Sequence, residues 1–178
     1  VIVHESFIHD VPRAGRVVFA VDPSLTCSGW AAARVGPNGV VVFAVGLMRA
    51  KRGADTAFTM AGGVASAYRA VEAFAKAKIE VVVIETPSTR VNAKRHRGRG
   101  AGLARYGMCV GEVIGILRPL APRLIEFGAG EWGGHGKEKR ALLAARHAAW
   151  CEIAGKDKGR DAADAVALIE MLKAKHAI

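Results

Sequence analysis

Four carboxylates stand where chemistry could use them. Asp22 closes the apolar run Val17-Val18-Phe19-Ala20-Val21, and Glu85 closes Val81-Val82-Val83-Ile84. If the two runs are parallel strands, both acids leave the core at one edge, the edge where α/β sheets place their ligands. Asp161 and Asp164 open a helical pattern. Their three-residue spacing puts them on one helix face, continued by Leu168 and Leu172. Each has an ordinary alternative. Asp22 before Pro23 can open a turn, Glu85 can be a solvated strand end, and Asp161 and Asp164 can be N-cap and N3 acids favoured by the helix dipole. Taken together they suit a different task. Mg²⁺ takes oxygen ligands and keeps some of its waters. Two such ions about 3.5–4 Å apart can activate water and stabilise the leaving oxygen in phosphodiester cleavage.

The acids sit in a basic chain. Across 178 residues, 26 Lys+Arg face 16 Asp+Glu, a formal net charge of +10, which favours a polyanionic partner, most simply nucleic acid. Arg90, Lys94, Arg95, Arg97, Arg99 and Arg105 fall in a stretch without an acid between Glu85 and Glu112. Arg interspersed with Gly there makes a cationic arm able to follow phosphates; a solvated loop or a localisation signal is the alternative. A second basic stretch includes Lys137, Lys139, Arg140, Arg146, Lys156, Lys158 and Arg160. Cys27, Cys109 and Cys151 form no CxxC pair, so a disulfide framework or four-cysteine zinc site is not expected and a reducing compartment is. No apolar run approaches the roughly 20 residues that span a bilayer. His4, Glu5, His9 and Asp10 argue against an apolar leader. The expected location is the cytoplasm, of a bacterial cell or a phage-infected host.

These residues need elements to position them. Residues 1–15 read as an N-terminal extension, with a short strand as one option, before a single domain over 16–178. Strands are expected at 16–21, 27–35 and 40–47, the last two joined by the turn signal Gly36-Pro37-Asn38-Gly39. Met60, Val64, Ala67, Val71 and Phe74 recur at helical period, predicting a helix over 59–78. A strand over 80–85 follows, its continuous Val/Ile run implying burial on both faces. Then come a helix over 103–117, a strand over 123–127, a Gly-rich segment over 128–136, and helices over 137–153 and 161–175. The order β-β-β-α-β-α-β-α-α predicts an α/β fold, a mixed five-stranded sheet flanked by helices.

With these blocks in view, the sequence resembles the RuvC family of Holliday junction resolvases, within the ribonuclease H-like superfamily. Residues 16–24 (RVVFAVDPS) and Thr26-Cys27-Ser28-Gly29-Trp30-Ala31 look like the family's first-strand motif, and 81–85 (VVVIE) its second acidic strand. Gly134-His135-Gly136-Lys137-Glu138-Lys139 resembles its G-x-G-x-x-K region, and 158–167 (KGRDAADAVA) its closing helix. The ordered set covers about residues 16–174. The resemblance implies that Asp22, Glu85, Asp161 and Asp164 hold two Mg²⁺ ions, with Mn²⁺ substituting, and that Lys137 or Lys139 approaches the scissile phosphate or the attacking water. It implies a homodimer, with the helix bearing Gly107, Gly111 and Gly115 in the interface, acting on four-way DNA junctions by paired symmetric nicks that leave 5′-phosphate and 3′-hydroxyl ends. Arg90, Lys94, Arg95, Arg97, Arg99, Arg105, Lys137, Lys139 and Arg140 would contact the DNA. Two departures stand out. Asp22-Pro23-Ser24 replaces Asp-Pro-Gly, and Glu85-Thr86-Pro87-Ser88 lacks the family's aromatic residue. The second keeps open a less selective branched-DNA or replication-fork nuclease; a non-catalytic nucleic-acid-binding protein is the third reading.

Other motifs are weaker. Residues 128–138 mimic a phosphate-binding loop, but Glu131 and Glu138 break the Walker pattern; a DNA-contacting loop fits better. His147 and Cys151, four apart, have no second pair nearby for zinc. Trp132 is a candidate for stacking on bases, Trp150 fits the core, and Tyr106 belongs beside the arm or in an interface.

Overall fold

The computed structural model describes residues 2–8, 11–50, 56–87, 100–128, 131 and 136–176. Among the described residues, six strands and five helices follow in chain order: β1 (Ile2–Ile8), β2 (Arg16–Asp22), β3 (Cys27–Gly36), β4 (Gly39–Ala50), α1 (Thr56–Ala75), β5 (Val81–Thr86), α2 (Gly100–Leu117), β6 (Leu124–Gly128), α3 (Lys137–Ala144), α4 (Ala148–Cys151) and α5 (Asp161–His176).

The five expected strands form a mixed sheet, and β1, from the N-terminal extension, adds an edge strand, giving the order β1-β4-β3-β2-β5-β6. β2, β3 and β4 pair antiparallel, whereas β5 lies parallel to both β2 and β6. β1 closes on β4 antiparallel. The β3–β4 hairpin turns through Pro37-Asn38, with Gly36 opposite Gly39. Gly39 has φ 137°, a conformation glycine adopts without steric cost.

Period-two alternation assigns the two sheet faces. Val18 and Ala20 of β2 face one core, shared with Ala31 and Ala33 of β3, Val81 and Val83 of β5, and α5. Val17, Phe19 and Val21 face the other, shared with α1 and α2. Phe19 stacks on Trp30 with centroids 5.9 Å apart and meets Tyr68 edge-on at 5.8 Å. The Tyr68 hydroxyl donates to the Leu120 carbonyl at 3.0 Å, so this aromatic layer buries without orphaning its polar tip. Gly46 makes room for it, since a Cβ there would fall 2.5 Å from the Trp30 indole.

α5 is buried along nearly its whole length, Ala162 through Ile169 except Asp164 being fully inaccessible. Its small residues let the helix lie close against the sheet. The expected helix over 137–153 is instead two helices. His147 adopts an extended conformation (φ −113°, ψ 119°) ahead of α4. Its Nε2 lies 2.7 Å from Glu170 Oε1 on α5. That tertiary anchor, together with the reach of Trp150 beyond α4, overrides a locally helical pattern. α1 begins and ends three residues earlier than the periodicity predicts. Its exit is held by Glu72, whose Oε1 accepts from the Ile79 N–H at 3.1 Å, with Lys76 in the left-handed region at φ 47°.

Candidate active site

The parallel register of β2 and β5 places the first two acids. Val18 pairs with Val81 and Val21 with Ile84, so one further step along both strands sets Asp22 beside Glu85 at the same sheet edge. Asp164 arrives from α5. Gly29, opposite Asp22 on β3, makes this approach possible. A Cβ at Gly29 would lie 2.1 Å from the Asp161 carbonyl carbon and oxygen and 2.3 Å from the Ala162 nitrogen, an impossible overlap. The first turn of α5 therefore rests on bare β3 backbone, and Asp164 is delivered to the strand ends. Carboxylate oxygens of Asp22, Glu85 and Asp164 all lie within 4.8 Å of one another.

Crowding these acids together is electrostatically unfavourable. Burial, then the charges of Glu85, Asp164 and Asp161, push the Asp22 carboxyl well above its ordinary range. Burial raises Asp164 to about 6, against the opposing pull of Arg140 and Lys137. Three crowded oxygen donors are a donor set suited to a hard divalent cation.

Asp161 does not join the group. Burial raises its carboxyl too, and a hydrogen bond with the Cys27 thiol opposes that shift. Cys27 is in turn pushed up to about 12 by burial and by Asp161. A cleft of about 640 Å³ opens on this side, lined by residues including Cys27, Arg49, Lys156, Lys158 and Asp161.

Of the two candidate lysines, Lys137 is the one whose charge reaches Asp22, Asp161 and Asp164. Its Nζ donates to the Gly159 carbonyl at 2.8 Å. Lys139 is exposed on α3. Arg140, expected to contact DNA, is instead 9% exposed. Its Nε and Nη2 lie 2.7 and 2.9 Å from Asp164 Oδ1 and Oδ2. The physical reason is local: Arg140 ends the first turn of α3, on the face that packs against α5. Arg105 is exposed on α2. Arg90, Lys94, Arg95, Arg97, Arg99 and Trp132 lie outside the described residues. Tyr106 is partly buried on α2, and its hydroxyl is raised by burial and then by the charges of Asp22 and Glu85, which places it near the acids.

Sequence reading missed Asp157. Its Oδ1 accepts from the Ala162 N–H at 3.3 Å and its Oδ2 from the Ala163 N–H at 2.9 Å and from Trp150 Nε1 at 3.0 Å. It thus satisfies the orphan donors of the α5 start, the role that Asp161 was read as able to fill. The Asp157-Lys158-Gly159-Arg160 loop, with Arg160 at φ 63°, was the available signal.

No protein-family model matches the chain, and comparison with curated proteins gives no sequence match. Solved structures do match in shape. Thermus thermophilus RuvC superposes with a TM-score of 0.59 at 19% identity, covering 90% of this chain and 95% of its own. A second structure of T. thermophilus RuvC, in complex with a Holliday junction substrate, gives 0.58 at 18%, covering 91% and 94%. The yeast mitochondrial Holliday junction resolvase gives 0.54 at 12%, covering 92% and 78%. The mixed sheet, its flanking helices and these superpositions together give the chain the ribonuclease H-like fold seen in RuvC-type resolvases.

Proposed function

We propose that this protein is a divalent-metal-dependent endonuclease that resolves four-way DNA junctions. The observation that carries the reading is the convergence of Asp22, Glu85 and Asp164 from three separate elements. In a chain of net charge +10, a close knot of acids has little structural use, but a metal-assisted attack on a phosphodiester needs one. Asp22, Glu85 and Asp164 would hold the cation, Mg²⁺ or Mn²⁺, and it would supply an activated water and charge neutralisation at the phosphate. Lys137, whose charge reaches the aspartates, would meet the incoming phosphate. Lys139 and Arg105 face solvent and would contact the DNA backbone, as would the arm at 90–99. Two nicks related by symmetry call for two such sites and hence a homodimer, with 5′-phosphate and 3′-hydroxyl ends. The likeness to RuvC, one structure of which carries a Holliday junction substrate, supports the same reading.

The test uses a synthetic four-way junction with Mg²⁺ and mapped products. Asp22→Asn and Asp164→Asn should keep junction binding and lose cleavage. Full activity in both variants would sink the assignment. Thr86-Pro87 directly after Glu85, with no aromatic residue, favours the less selective branched-DNA nuclease as the second reading. Equal cleavage of flaps, three-way junctions and four-way junctions would select it.

A further inference from the structure

The cleft of about 640 Å³ beside Asp161 is a second place where charge gathers. The end of β4 supplies Arg49 to its wall, and the loop between α4 and α5 supplies Lys156 and Lys158. Its volume lies within the roughly 300–1,000 Å³ common for ligand sites. Among the described residues, none of Asp22, Glu85 and Asp164 lines it. Both lysines are exposed, and among the described residues neither ammonium has an ion-pair partner. Asp157 borders the cleft too, but its oxygens take the Ala162 and Ala163 N–H groups and Trp150 Nε1. The loop is held in place from β4 and from α3. Arg49 Nη2 donates to the Lys156 carbonyl at 2.5 Å, and Lys137 Nζ donates to the Gly159 carbonyl at 2.8 Å. Its backbone therefore needs little ordering when an anion arrives. Lys137 also connects the cleft to the acids, since its charge reaches Asp22 and Asp164. A DNA strand with its scissile phosphate at the acids has Gly159, and then the cleft, as its neighbours on this side.

We propose that Lys156 and Lys158, with Arg49 behind them, form a second phosphate site that grips the cleaved DNA strand at a phosphodiester flanking the scissile one. This rests on the nuclease reading above and deepens it, by giving the strand a path from the acids across Gly159 into the cleft. A lysine ammonium is a compact charge on a flexible stem, which suits a phosphate whose orientation shifts with the branch point. Phosphate contacts of this kind set the position of the nucleic acid and carry no base information. The two lysines therefore act on binding and on where the strand lies, and they do not touch the reacting phosphate. Neither belongs to the set of DNA contacts that the resemblance to resolvases implies.

The experiment uses the full chain and four-way junctions in which single phosphates of the cleaved strand, on either side of the mapped cut, are replaced one at a time by uncharged methylphosphonates. Binding is measured without divalent metal across a salt series, and cleavage with Mg²⁺. Replacement of the gripped phosphate should weaken binding by the wild type about tenfold. The double variant Lys156→Ala/Lys158→Ala should bind the unmodified junction about tenfold more weakly, with a salt slope shallower by about 0.7–0.9. It should be indifferent to that one replacement, because the cycle removes the same contact from both sides. Lys156→Arg/Lys158→Arg should restore the sensitivity. A double variant that binds like the wild type, or that remains sensitive at every position where the wild type is, overturns the subsite; cleavage of the junction by the wild type then leaves the nuclease reading intact. A wild-type chain that neither binds nor cuts the junction overturns both readings. If the double variant does not fold, the same cycle with Lys158→Ala alone decides.

Discussion

Asp157 and Asp164 flank the start of α5, and both are almost completely buried, at 3% and 2% exposure, yet their surroundings differ in kind. Asp157 faces donors: two backbone N–H groups and an indole N–H occupy its oxygens. Asp164 is ion-paired with Arg140 and faces two other acids. The first is a structural carboxylate, whose oxygens the fold supplies with donors. The second belongs to a cluster whose ionisation the fold penalises. Burial alone does not separate the two. The sign of what surrounds each acid does, and perturbed groups of the second kind mark sites of chemistry.

That contrast predicts opposite stability effects. Asp157→Ala would leave the α5 N-terminus and Trp150 Nε1 without their acceptor. Buried donors left unpaired cost about 1–3 kcal/mol each, and loss of a helix cap costs roughly 0.5–2 kcal/mol. With a melting shift of about 2–4 °C per kcal/mol for a chain of this size, the melting temperature should fall on the order of 10 °C. Scanning calorimetry checks this. An unchanged melting temperature would show that water replaces the carboxylate, and the distinction between the two acids would weaken.

Asp22→Asn should act in the other direction and more gently. Asp22 is raised by burial and by the charges of Glu85 and Asp164, so replacing it with a neutral isostere relieves a cost present at neutral pH. A gain in melting temperature is therefore expected for the metal-free chain. The gain should vanish when Mg²⁺ is added, because the ion stabilises only the wild type. Destabilisation by Asp22→Asn without metal would mean the acids are held as a compensated hydrogen-bonded network instead.

The sequence shows some of this arrangement and hides the rest, for definable reasons. Asp22 and Glu85 were legible because each ends an apolar run, and parallel pairing of two such runs brings their ends together. The Gly36–Gly39 hairpin was legible from its turn residues, and the burial of β5 from its Val/Ile run. Asp161 and Asp164 were legible as a pair on a helix, but not which of them reaches the cluster. That depends on where α5 crosses the sheet, which is fixed by the missing side chain at Gly29 and by Asp157 in the preceding loop. Arg140 looked like a surface cation because sequence gives no sign of the α3 face that meets α5. The break near His147 was invisible because its cause, Glu170, lies 23 residues away. Pairing of β1 with β4 is equally non-local: no turn joins them, and their register runs from Ile2↔Ala50 to Ile8↔Ala44.

The smallest effect is also the most diagnostic of the cluster. Asp164 is raised from 3.8 to about 6, first by burial, and Asp22 is raised well above 3.8 by burial and its acidic neighbours. An unfolded chain gives up these protons near 3.8, whereas the folded chain keeps them to higher pH. Between those limits the folded state binds more protons, so this contribution makes the metal-free chain less stable as pH rises through about 6. A bound divalent ion reverses the sign, because it needs the same carboxylates deprotonated and competes with their protons. The melting temperatures with and without Mn²⁺ should therefore lie close together near pH 5 and separate as pH passes about 6. Asp157→Glu, if it folds, should leave that separation in place, since Asp157 takes no part in the cluster; Asp22→Asn should abolish it. A separation that is constant with pH in the wild type would mean that the ion is held elsewhere, and Asp164 would then belong with Asp157 among the structural acids.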